Sequence, residues 1–522
     1  MKYFNVAGPC IEGKHYMLDA TERLHDELTE LINGEQYYVI HAARQTGKTT
    51  LLLNLADQLN QGGKYYAVYC SLERVYGVAD PAISIPAIIN GFAIALENYQ
   101  LPYFENFRDN LDVSDYLNAL GLALSRYCRR IDKPFVIFFD EADCLSENTL
   151  ISFLRQLRDG FVNRHTAPFP ASVALVGMRN IRDYKAKIRE NKATLGTASP
   201  FNIITSSLTL RNFTKEEVAA LYQQHTTETG QRFGDAAVEL AFEQTQGQPW
   251  LVNAIAREII VAQLKKDYSI NITAAMVSEA IQTIILRRDV HIDQLLDKLK
   301  EERVQKVIEP MITGQGDKIE KFSDDYNYVK DLGLIRLHNE TIVAGNPIYA
   351  EVIIRTLNYN EQWILTSNEQ YSEYEMPKYY KNNNVDMNLL LQDFQQFWRE
   401  NSEIWQERFQ YKEAAPHLIL QAFLQRVFNG GGDVQRDMAT GRDRLDLCIE
   451  YQGKKYPVEL KINRGKQSIV KGIEQTLRYM NTLGCTEGWL VAFDRDQEKT
   501  WDEKIYQTKE SVNGKTVNVF GC

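Results

Sequence analysis

Short runs of apolar residues mark the first part of the chain and predict buried strands. The predicted strands lie at residues 37–40, 65–71, 135–139, 171–177 and 201–210. A strand that is apolar at consecutive positions is covered on both faces, as in a parallel α/β sheet flanked by helices. We expect a helix at about 21–32, capped by Thr21, and a helical insertion at about 83–130 that covers the sheet. The pattern therefore predicts a parallel-sheet α/β core in residues 1–212.

Helical periodicity replaces the strands from residue 213 onward. Thr214 and Glu217 have the spacing of a capping box, in which each side chain accepts a backbone N–H of the other residue at the start of a helix. The helical region extends to residue 288 and is interrupted by Gly247-Gln248-Pro249. Two helices, a third helix at about 324–334 and a hairpin then predict a winged-helix-like module at 289–360.

A second core follows a stretch without periodicity at 361–386, which we interpret as a linker. Apolar positions return at 389–405 as an amphipathic helix. A strand at 441–450, a turn and a return strand at 456–462 form a predicted hairpin. Residues 387–522 therefore form a separate predicted α/β domain.

A strand, a loop and a helix follow one another at residues 37–56, and the loop ends in Gly47-Lys48-Thr49. This order is what polyphosphate binding needs, because loop N–H groups and the positive end of a helix together cradle the phosphates. Lys48 would reach the β- and γ-phosphates, and the Thr49 hydroxyl would ligate Mg²⁺. The predicted ATP-binding residues of this loop are Ala43, Arg44, Gln45, Thr46, Gly47, Lys48, Thr49 and Thr50.

The first position of this motif, normally glycine, is Ala42. Alanine does not readily adopt a positive φ. Either the loop enters with a negative φ at Ala42, or nucleotide binding is weakened.

Adjacent carboxylates end the apolar strand at 135–139. Asp140 would hold the Mg²⁺ through water, and Glu141 would polarise the attacking water. The alternative is that the two carboxylates only cap the next helix. Lys48 upstream favours the hydrolytic interpretation. Together the two motifs resemble those of the additional-strand P-loop NTPases, which include the AAA-like and STAND ATPases.

This resemblance implies further contacts with the nucleotide. Arg179 or Asn180, at the end of the strand at 171–177, would sense the γ-phosphate, unless Arg179 is an ordinary loop arginine. Pro249, in the turn at 247–249, would contact the nucleotide, unless that turn only breaks a helix. The segment before the first strand would place Tyr16 or Arg23 against the adenine.

The hairpin of the second core carries a different set of charged residues. Alternation along the return strand places Glu459 and Lys461 on one face, and Asp446 of the neighbouring strand can join them. Two carboxylates beside an amine can hold a divalent cation that activates water. Oxygen ligands, with the Leu460 carbonyl as a third, select Mg²⁺ or Mn²⁺ over zinc. An ordinary solvated hairpin is the alternative.

These residues resemble the PD-(D/E)xK nuclease motif of the restriction-endonuclease-like fold. Gln475 and Tyr479 match the Gln-x-x-x-Tyr element of the exonuclease branch of that family. Glu413 precedes a predicted helix at the place where many members hold a further acidic metal ligand. The two halves together resemble a prokaryotic family of AAA-like ATPases with a C-terminal nuclease domain, which implies ATP-regulated action on nucleic acid in genome defence or mobile-element biology.

Net charge and cysteine content narrow the classes of protein to which the chain can belong. A net charge of −10 and a pI near 5.5 argue against a protein coated in nucleic-acid-binding charge. The helix at 324–334 carries three aspartates, so we interpret the winged helix as a packing module. Seven scattered cysteines without a CxxC pair favour a reducing cytoplasm, and no apolar run is long enough to span a bilayer. A local basic face is predicted near the hairpin, from Arg426, Arg436, Arg442, Arg444, Lys454, Lys455, Arg464, Lys466, Lys471 and Arg478.

Three functions from different classes remain open. The first is an ATP-gated, metal-dependent nuclease, which the intact Glu459-Leu460-Lys461 favours. The second is an ATPase switch whose nuclease-like domain only binds nucleic acid. The third is a STAND-type signalling scaffold that oligomerises through its ATPase domain on sensing a partner, with neither DNA nor cleavage central. The acidic winged helix and the net charge of −10 keep this third function open.

Overall fold

The polypeptide forms two compact units that are not contiguous in sequence. The first comprises residues 1–298 and 319–349, and the second comprises 299–318 and 350–522. The computed structural model describes the chain apart from residues 179–199, 288–289, 313–318, 322, 339–340, 354–378, 382–383, 409–419, 421–422, 425–432, 441–442, 452, 464, 495 and 497.

A parallel five-stranded sheet forms the centre of the first unit. Its strands are β1 (Tyr37–His41), β2 (Tyr66–Ser71), β3 (Phe135–Asp140), β4 (Ser172–Gly177) and β5 (Ile204–Thr209). They are arranged in the order β2-β3-β4-β1-β5, and every neighbouring pair is parallel. The helices between and before them are α1 (His25–Asn33), α2 (Lys48–Gln61), α3 (Pro81–Asn98), α4 (Ala119–Cys128) and α5 (Glu147–Asn163).

Both faces of this sheet are buried, as the consecutive apolar positions predict. Phe138 of β3 packs into one hydrophobic layer with Leu52 of α2. Its neighbour Phe139 packs into the opposite layer with Phe92 of α3 and Phe153 of α5. Alternate side chains of a strand point to opposite faces, so a strand inside such a sheet must be apolar at every position.

The first helix begins later than the sequence pattern predicts. Residues Thr21–Arg23 form a short 3₁₀ turn, and α1 starts at His25 after Leu24. The Thr21 hydroxyl does not cap the helix. It donates instead to the Asp19 carboxylate at 2.6 Å, and the Thr21 backbone N–H donates to the same oxygen. The prediction that Thr21 caps α1 is therefore wrong, because Thr21 lies in the 3₁₀ turn and Leu24 occupies the N-cap position of α1.

Helices and a small hairpin follow the five-stranded sheet along the chain. They are α6 (Lys215–Thr229), α7 (Asp235–Thr245), α8 (Pro249–Arg257), a π-helical segment (Glu258–Gln263), α9 (Ala274–Arg287), α10 (Val290–Lys298), α11 (Glu302–Ile312), α12 (Asp324–Asp331), β6 (Ile335–His338) and β7 (Thr341–Ala344). Of these, α11 belongs to the second unit. The capping box of Thr214 and Glu217 is present at the start of α6, as predicted. The helices and hairpin expected at 289–360 are present, and their assignment as a winged helix stays a prediction.

The second unit is built around a six-stranded sheet in the order β10-β11-β12-β13-β15-β14. Its elements are β8 (Tyr380–Lys381), β9 (Asn384–Val385), α13 (Met387–Arg408), β10 (Asp433–Thr440), β11 (Asp443–Tyr451), β12 (Lys454–Asn463), α14 (Lys466–Leu483), β13 (Glu487–Asp494), α15 (Trp501–Lys504), β14 (Tyr506–Val512) and β15 (Lys515–Gly521). Strands β11 and β12 are antiparallel and form the predicted hairpin. Strands β12 and β13 are parallel and joined through α14, so this unit is also of the α/β class. No helix in the described part of the chain is both long and apolar enough to cross a membrane.

Candidate functional site

The loop between β1 and α2 has the backbone conformation of a phosphate-binding turn. Gly47 has a φ of 94°, and a Cβ at this position would lie 2.9 Å from an Arg23 guanidinium nitrogen. The positive φ therefore favours glycine at this position, and the Arg23 guanidinium lies close against it. Ala42 does not have a positive φ, which settles the sequence alternative: the loop enters with a negative φ.

The Lys48 side chain lies inside this loop. Its Nζ donates to the carbonyl oxygens of Ala42 and Ala43, both at 2.9 Å, and the residue is 7% exposed. Burial lowers the pKa of this ammonium, while Glu141 and Asp140 act in the opposite direction. The amine is thus held among oxygen acceptors that a phosphate can replace.

Arg23 fixes the loop from outside. Its guanidinium donates to the carbonyl oxygens of Thr46 and Arg211, each at 2.9 Å, and lies 5.1 Å from the Phe213 ring centre. Burial lowers the pKa of Arg23 to about 10. The Thr46 hydroxyl donates to the Ala43 carbonyl and closes the turn. Arg23 therefore contacts the phosphate loop itself.

Asp140 meets Thr49 at the carboxyl edge of the sheet. The Thr49 hydroxyl donates to Asp140 Oδ2 at 2.8 Å, and the Tyr69 hydroxyl donates to the same oxygen at 3.2 Å. The other oxygen, Oδ1, accepts the Glu141 backbone N–H at 2.9 Å. A hydroxyl and a carboxylate in contact are oxygen donors of the kind Mg²⁺ prefers. The residues present therefore fit a magnesium nucleotide.

Glu141 has a strained backbone and a perturbed carboxyl. Its φ is 57°, in the left-handed region, a type of strain that often occurs at functional sites. Burial and the neighbouring Asp140 raise its pKa, and Lys48 opposes this. The side chain makes no capping hydrogen bond, and Ser146 caps α5. The alternative in which the two carboxylates open the next helix is therefore wrong.

Asp143, a residue not predicted to belong to the site, links the segments that follow β3 and β4. Its carboxylate accepts the Met178 backbone N–H just after β4. A Cβ at Gly177 would lie 2.5 Å from the same carboxylate, so glycine is needed there. This contact fixes where the chain leaves β4. The sensor candidates Arg179 and Asn180 lie outside the described residues.

The turn before α8 touches the phosphate loop through Gln248. Its amide Nε2 lies 3.3 Å from the Arg44 carbonyl and 3.4 Å from the Gln45 carbonyl. Its Oε1 accepts the Leu251 backbone N–H at 2.7 Å and so caps α8. Pro249, the residue predicted from sequence, is the first residue of α8 and is buried. The sequence singled out this turn but not Gln248, and the contact of Pro249 with a nucleotide stays a prediction.

A cavity of about 440 Å³ lies beside the loop. It is lined by Val6, Gln45, Trp250, Ala254, Arg257, Glu258, Val261, Ala262, Arg287 and His291. Trp250 forms one wall, and its indole N–H donates to the Val6 carbonyl at 2.9 Å. Tyr16, a predicted adenine contact, is buried elsewhere in this unit, where its hydroxyl donates to Glu228 at 2.7 Å.

A second group of charged residues lies in the sheet of the second unit. Glu459 is fully buried, and Lys461, two residues along β12, forms an ion pair with it. Leu460, between them, pairs with Val491 of β13. Asp446 lies on β11, but its side chain and Glu413 lie outside the described structure.

Helix α14 covers the face of β12 that carries the ion pair. A Cβ at Gly472 would lie 3.2 Å from Lys461 Cγ, which shows how closely the helix approaches that side chain. One turn further on, the Gln475 amide donates to the Tyr479 hydroxyl at 2.6 Å. Tyr479 is fully buried and packs against Cys448 of β11. The structure thus brings the predicted Gln475–Tyr479 pair onto the helix that covers Glu459 and Lys461.

A family model described as an AAA-like domain matches residues 20–353. A Walker-type ATPase of Pyrococcus abyssi is similar in structure, at 14% identity over 67% of this chain and 99% of that chain, with a TM-score of 0.45. Cdc6p from Pyrobaculum aerophilum matches at 15% identity over 67% of this chain and 96% of that chain, with a TM-score of 0.37. The RuvB Holliday junction branch migration motor of Thermotoga maritima matches at 13% identity over 64% of this chain and 93% of that chain, with a TM-score of 0.34.

Among curated proteins, none matches the chain in sequence. The matching family model, in contrast, spans more than half of the 522 residues and contains the phosphate loop, the Asp140 strand and the turn before α8. The chain therefore belongs to the family of AAA-like domain proteins, and its first unit contains the P-loop ATPase core.

Proposed function

We propose that this protein binds and hydrolyses ATP in its AAA-like domain and uses the nucleotide state to control a metal-dependent nuclease in its second unit. The observation that carries the ATP site is the 2.8 Å hydrogen bond from Thr49 to Asp140. It brings together the end of the phosphate loop and the end of β3, which are 91 residues apart in the sequence.

The residues of the loop have separate tasks in this proposal. Backbone N–H groups from Arg44 to Thr50 hold the phosphates at the start of α2. Lys48 exchanges its bonds to the Ala42 and Ala43 carbonyls for phosphate oxygens. Bound Mg²⁺ supplies charge neutralisation for the β- and γ-phosphates.

Glu141 is the proposed general base. It would orient the attacking water and accept its proton. Its raised pKa lies closer to pH 7 than that of an ordinary glutamate, and a general base works best when its pKa is near the working pH. The cavity beside Gln45 is the proposed site of the base and ribose, because Trp250 offers an aromatic wall next to the loop. Arg179 or Asn180 is the proposed γ-phosphate sensor, and Pro249 a proposed contact.

The nuclease proposal is supported by the surroundings of Glu459. The last observed pairing between β11 and β12 joins Leu447 to Val458, so one more step in this register would place Asp446 opposite Glu459. Two carboxylates at that position could hold Mg²⁺ or Mn²⁺, with the Leu460 carbonyl and Glu413 as further proposed ligands. Lys461 would then orient or deprotonate the attacking water.

Helix α14 also supports contact with a phosphate backbone. Lys471, Gln475 and Arg478 have the i, i+4, i+7 spacing of one helix face, and both cations are exposed. The same helix approaches Lys461 at Gly472. Cations on the helix that covers a metal site can position a nucleic acid for cleavage.

The ATP site is tested by comparing two variants with the wild type. Lys48→Ala should abolish ATP binding, since it removes the cation of the loop, whereas Glu141→Gln should bind ATP normally and retain it without hydrolysis. Lys64→Ala is the matched control, because that amine contacts Asn33 on the surface. Binding is measured by calorimetry and hydrolysis by phosphate release. Wild-type ATP binding by Lys48→Ala would refute the loop assignment.

A further inference from the structure

Tyr69 lies on β2 and reaches across to the carboxyl end of β3. Its ring packs against the hydrophobic layer formed by α2 and one face of the sheet. Its hydroxyl donates to Asp140 Oδ2 at 3.2 Å, the oxygen that also accepts the Thr49 hydroxyl. An apolar ring would fill the same space, so packing alone does not account for the hydroxyl.

The three donors around Asp140 determine how its carboxylate can turn. The Glu141 N–H holds Oδ1, while Thr49 and Tyr69 hold Oδ2 from two different elements. Asp140 is only 1% exposed, so water cannot replace a lost donor easily.

In the proposed site the Thr49 hydroxyl oxygen would be needed at the metal, so its bond to Asp140 would have to adapt. Tyr69 lies on β2 and not in the loop, so its bond to the carboxylate does not depend on that hydroxyl. A residue that orients a metal-site carboxylate commonly changes metal affinity when it is removed.

We infer that Tyr69 is a positioning residue of the ATP site, which aims the Asp140 carboxylate at the metal by hydrogen bonding to Oδ2. This inference rests on the proposed function of Thr49 and Asp140 as the magnesium site. Tyr69 itself touches neither metal nor nucleotide in this account.

The test uses the full chain and measures binding in place of turnover. The dissociation constant of the non-hydrolysable analogue AMP-PNP is determined with Mg²⁺ and with EDTA, and the ratio of the two gives the gain due to the metal. Tyr69→Phe keeps the ring and should reduce this gain about tenfold. Affinity without metal should stay as in the wild type, because the phosphate loop is unchanged.

Tyr66→Phe is the matched control. It removes a tyrosine hydroxyl from the same strand, but one that donates to Asp132 at 3.0 Å, away from Asp140. This control should keep the wild-type gain. Thermal unfolding of each variant separates a loss of folding from a loss of metal binding.

Asp140→Asn separates the inference from the proposal on which it rests. If Asp140→Asn loses the gain and Tyr69→Phe keeps it, the magnesium site stands and the role of Tyr69 is refuted. If Asp140→Asn also keeps the gain, the magnesium site itself is refuted. A Tyr69→Phe protein that loses affinity equally with and without Mg²⁺ would mean that Tyr69 only stabilises the fold.

Discussion

Lys48 and Glu141 are ionisable side chains that the fold buries. Burial lowers the pKa of Lys48 and raises the pKa of Glu141, so it favours the neutral form of each. The two residues lie on different strand–helix connections, and the charge of each partly opposes the pKa shift that burial causes in the other. A phosphate group placed between them would add negative charge, which favours the protonated form of both. The loop and β3 therefore already hold the charge pattern that a nucleotide would complete.

The convergence of Gly47, Lys48, Thr49, Asp140 and Glu141 could be predicted because they lie in short motifs next to recognisable strands. Tyr69, Asp143 and Gln248 could not, because their contacts join segments far apart in the chain. Gln248 meets the Arg44 carbonyl across 204 residues. No local pattern encodes such a contact.

His291 gives the first unit a stability that depends on pH. The ring is stacked on Trp250 at 4.8 Å, contacts the Tyr349 hydroxyl at 2.6 Å and has Arg44 nearby. Burial lowers its pKa to about 4. An unfolded histidine binds its proton near pH 6.5, so below that pH the unfolded chain binds more protons and the folded state loses stability.

Between pH 7.5 and 5.0 we expect this residue to cost the folded state about 2 kcal/mol. His291→Phe keeps the stacking and should remove this part of the pH dependence. His165→Gln, at an exposed histidine, should retain it. Urea titrations at both pH values measure the difference, and equal pH dependence in His291→Phe and wild type would contradict the role assigned to burial.

At the scale of elements, the parallel strands were the most predictable part of the fold. Burial on both faces forces apolar residues at consecutive positions, and the sequence shows them directly. The start of α1 was less predictable, since a 3₁₀ turn at Thr21–Arg23 precedes the helix, which begins only at His25.

The turn before α8 is the element that connects the phosphate loop to the helical region. A Cβ at Gly247 would lie 1.9 Å from the Phe213 carbonyl oxygen, so this turn is packed tightly against the segment after β5. Gln248 both caps α8 and contacts the loop. A change in the loop on nucleotide binding would therefore reach α8 directly.

Gln248→Ala should weaken this link. We expect a loss of about 1 kcal/mol in stability from the missing cap. In addition, ATP should slow amide hydrogen exchange in α8 of the wild type and much less in the variant. Gln223→Ala on α6 removes an exposed glutamine and is the control. Equal protection of α8 in all three proteins would show that the contact does not transmit the nucleotide state.

At the scale of the whole molecule, the two units carry different predicted chemistry on one chain. The AAA-like domain is assigned by its family. The second unit contains the Glu459–Lys461 ion pair on β12 and the Gln475–Tyr479 pair on α14. The convergence of Asp446 on this site stays a prediction, as do the boundaries of the winged helix and linker.

The proposed nuclease would need restraint to spare the genome of its own cell. ATP could supply that restraint only if the two nucleotide states differ in their effect on the second unit. We therefore expect the full chain to cut slowly without nucleotide and faster with ATP. Two alternatives make different predictions in the same assay. One is a switch that binds nucleic acid without cutting it, and the other is a scaffold for which neither DNA nor cleavage is central.

The most direct measurement incubates the purified full chain with single- and double-stranded DNA and RNA, with and without Mg²⁺, Mn²⁺ and ATP. The account predicts metal-dependent cleavage that ATP accelerates in the wild type. Cleavage should be lost in Lys461→Ala, insensitive to ATP in Lys48→Ala and normal in Lys509→Ala, an exposed lysine of the same sheet. Absence of cleavage of every substrate, or undiminished cleavage by Lys461→Ala, would contradict the account.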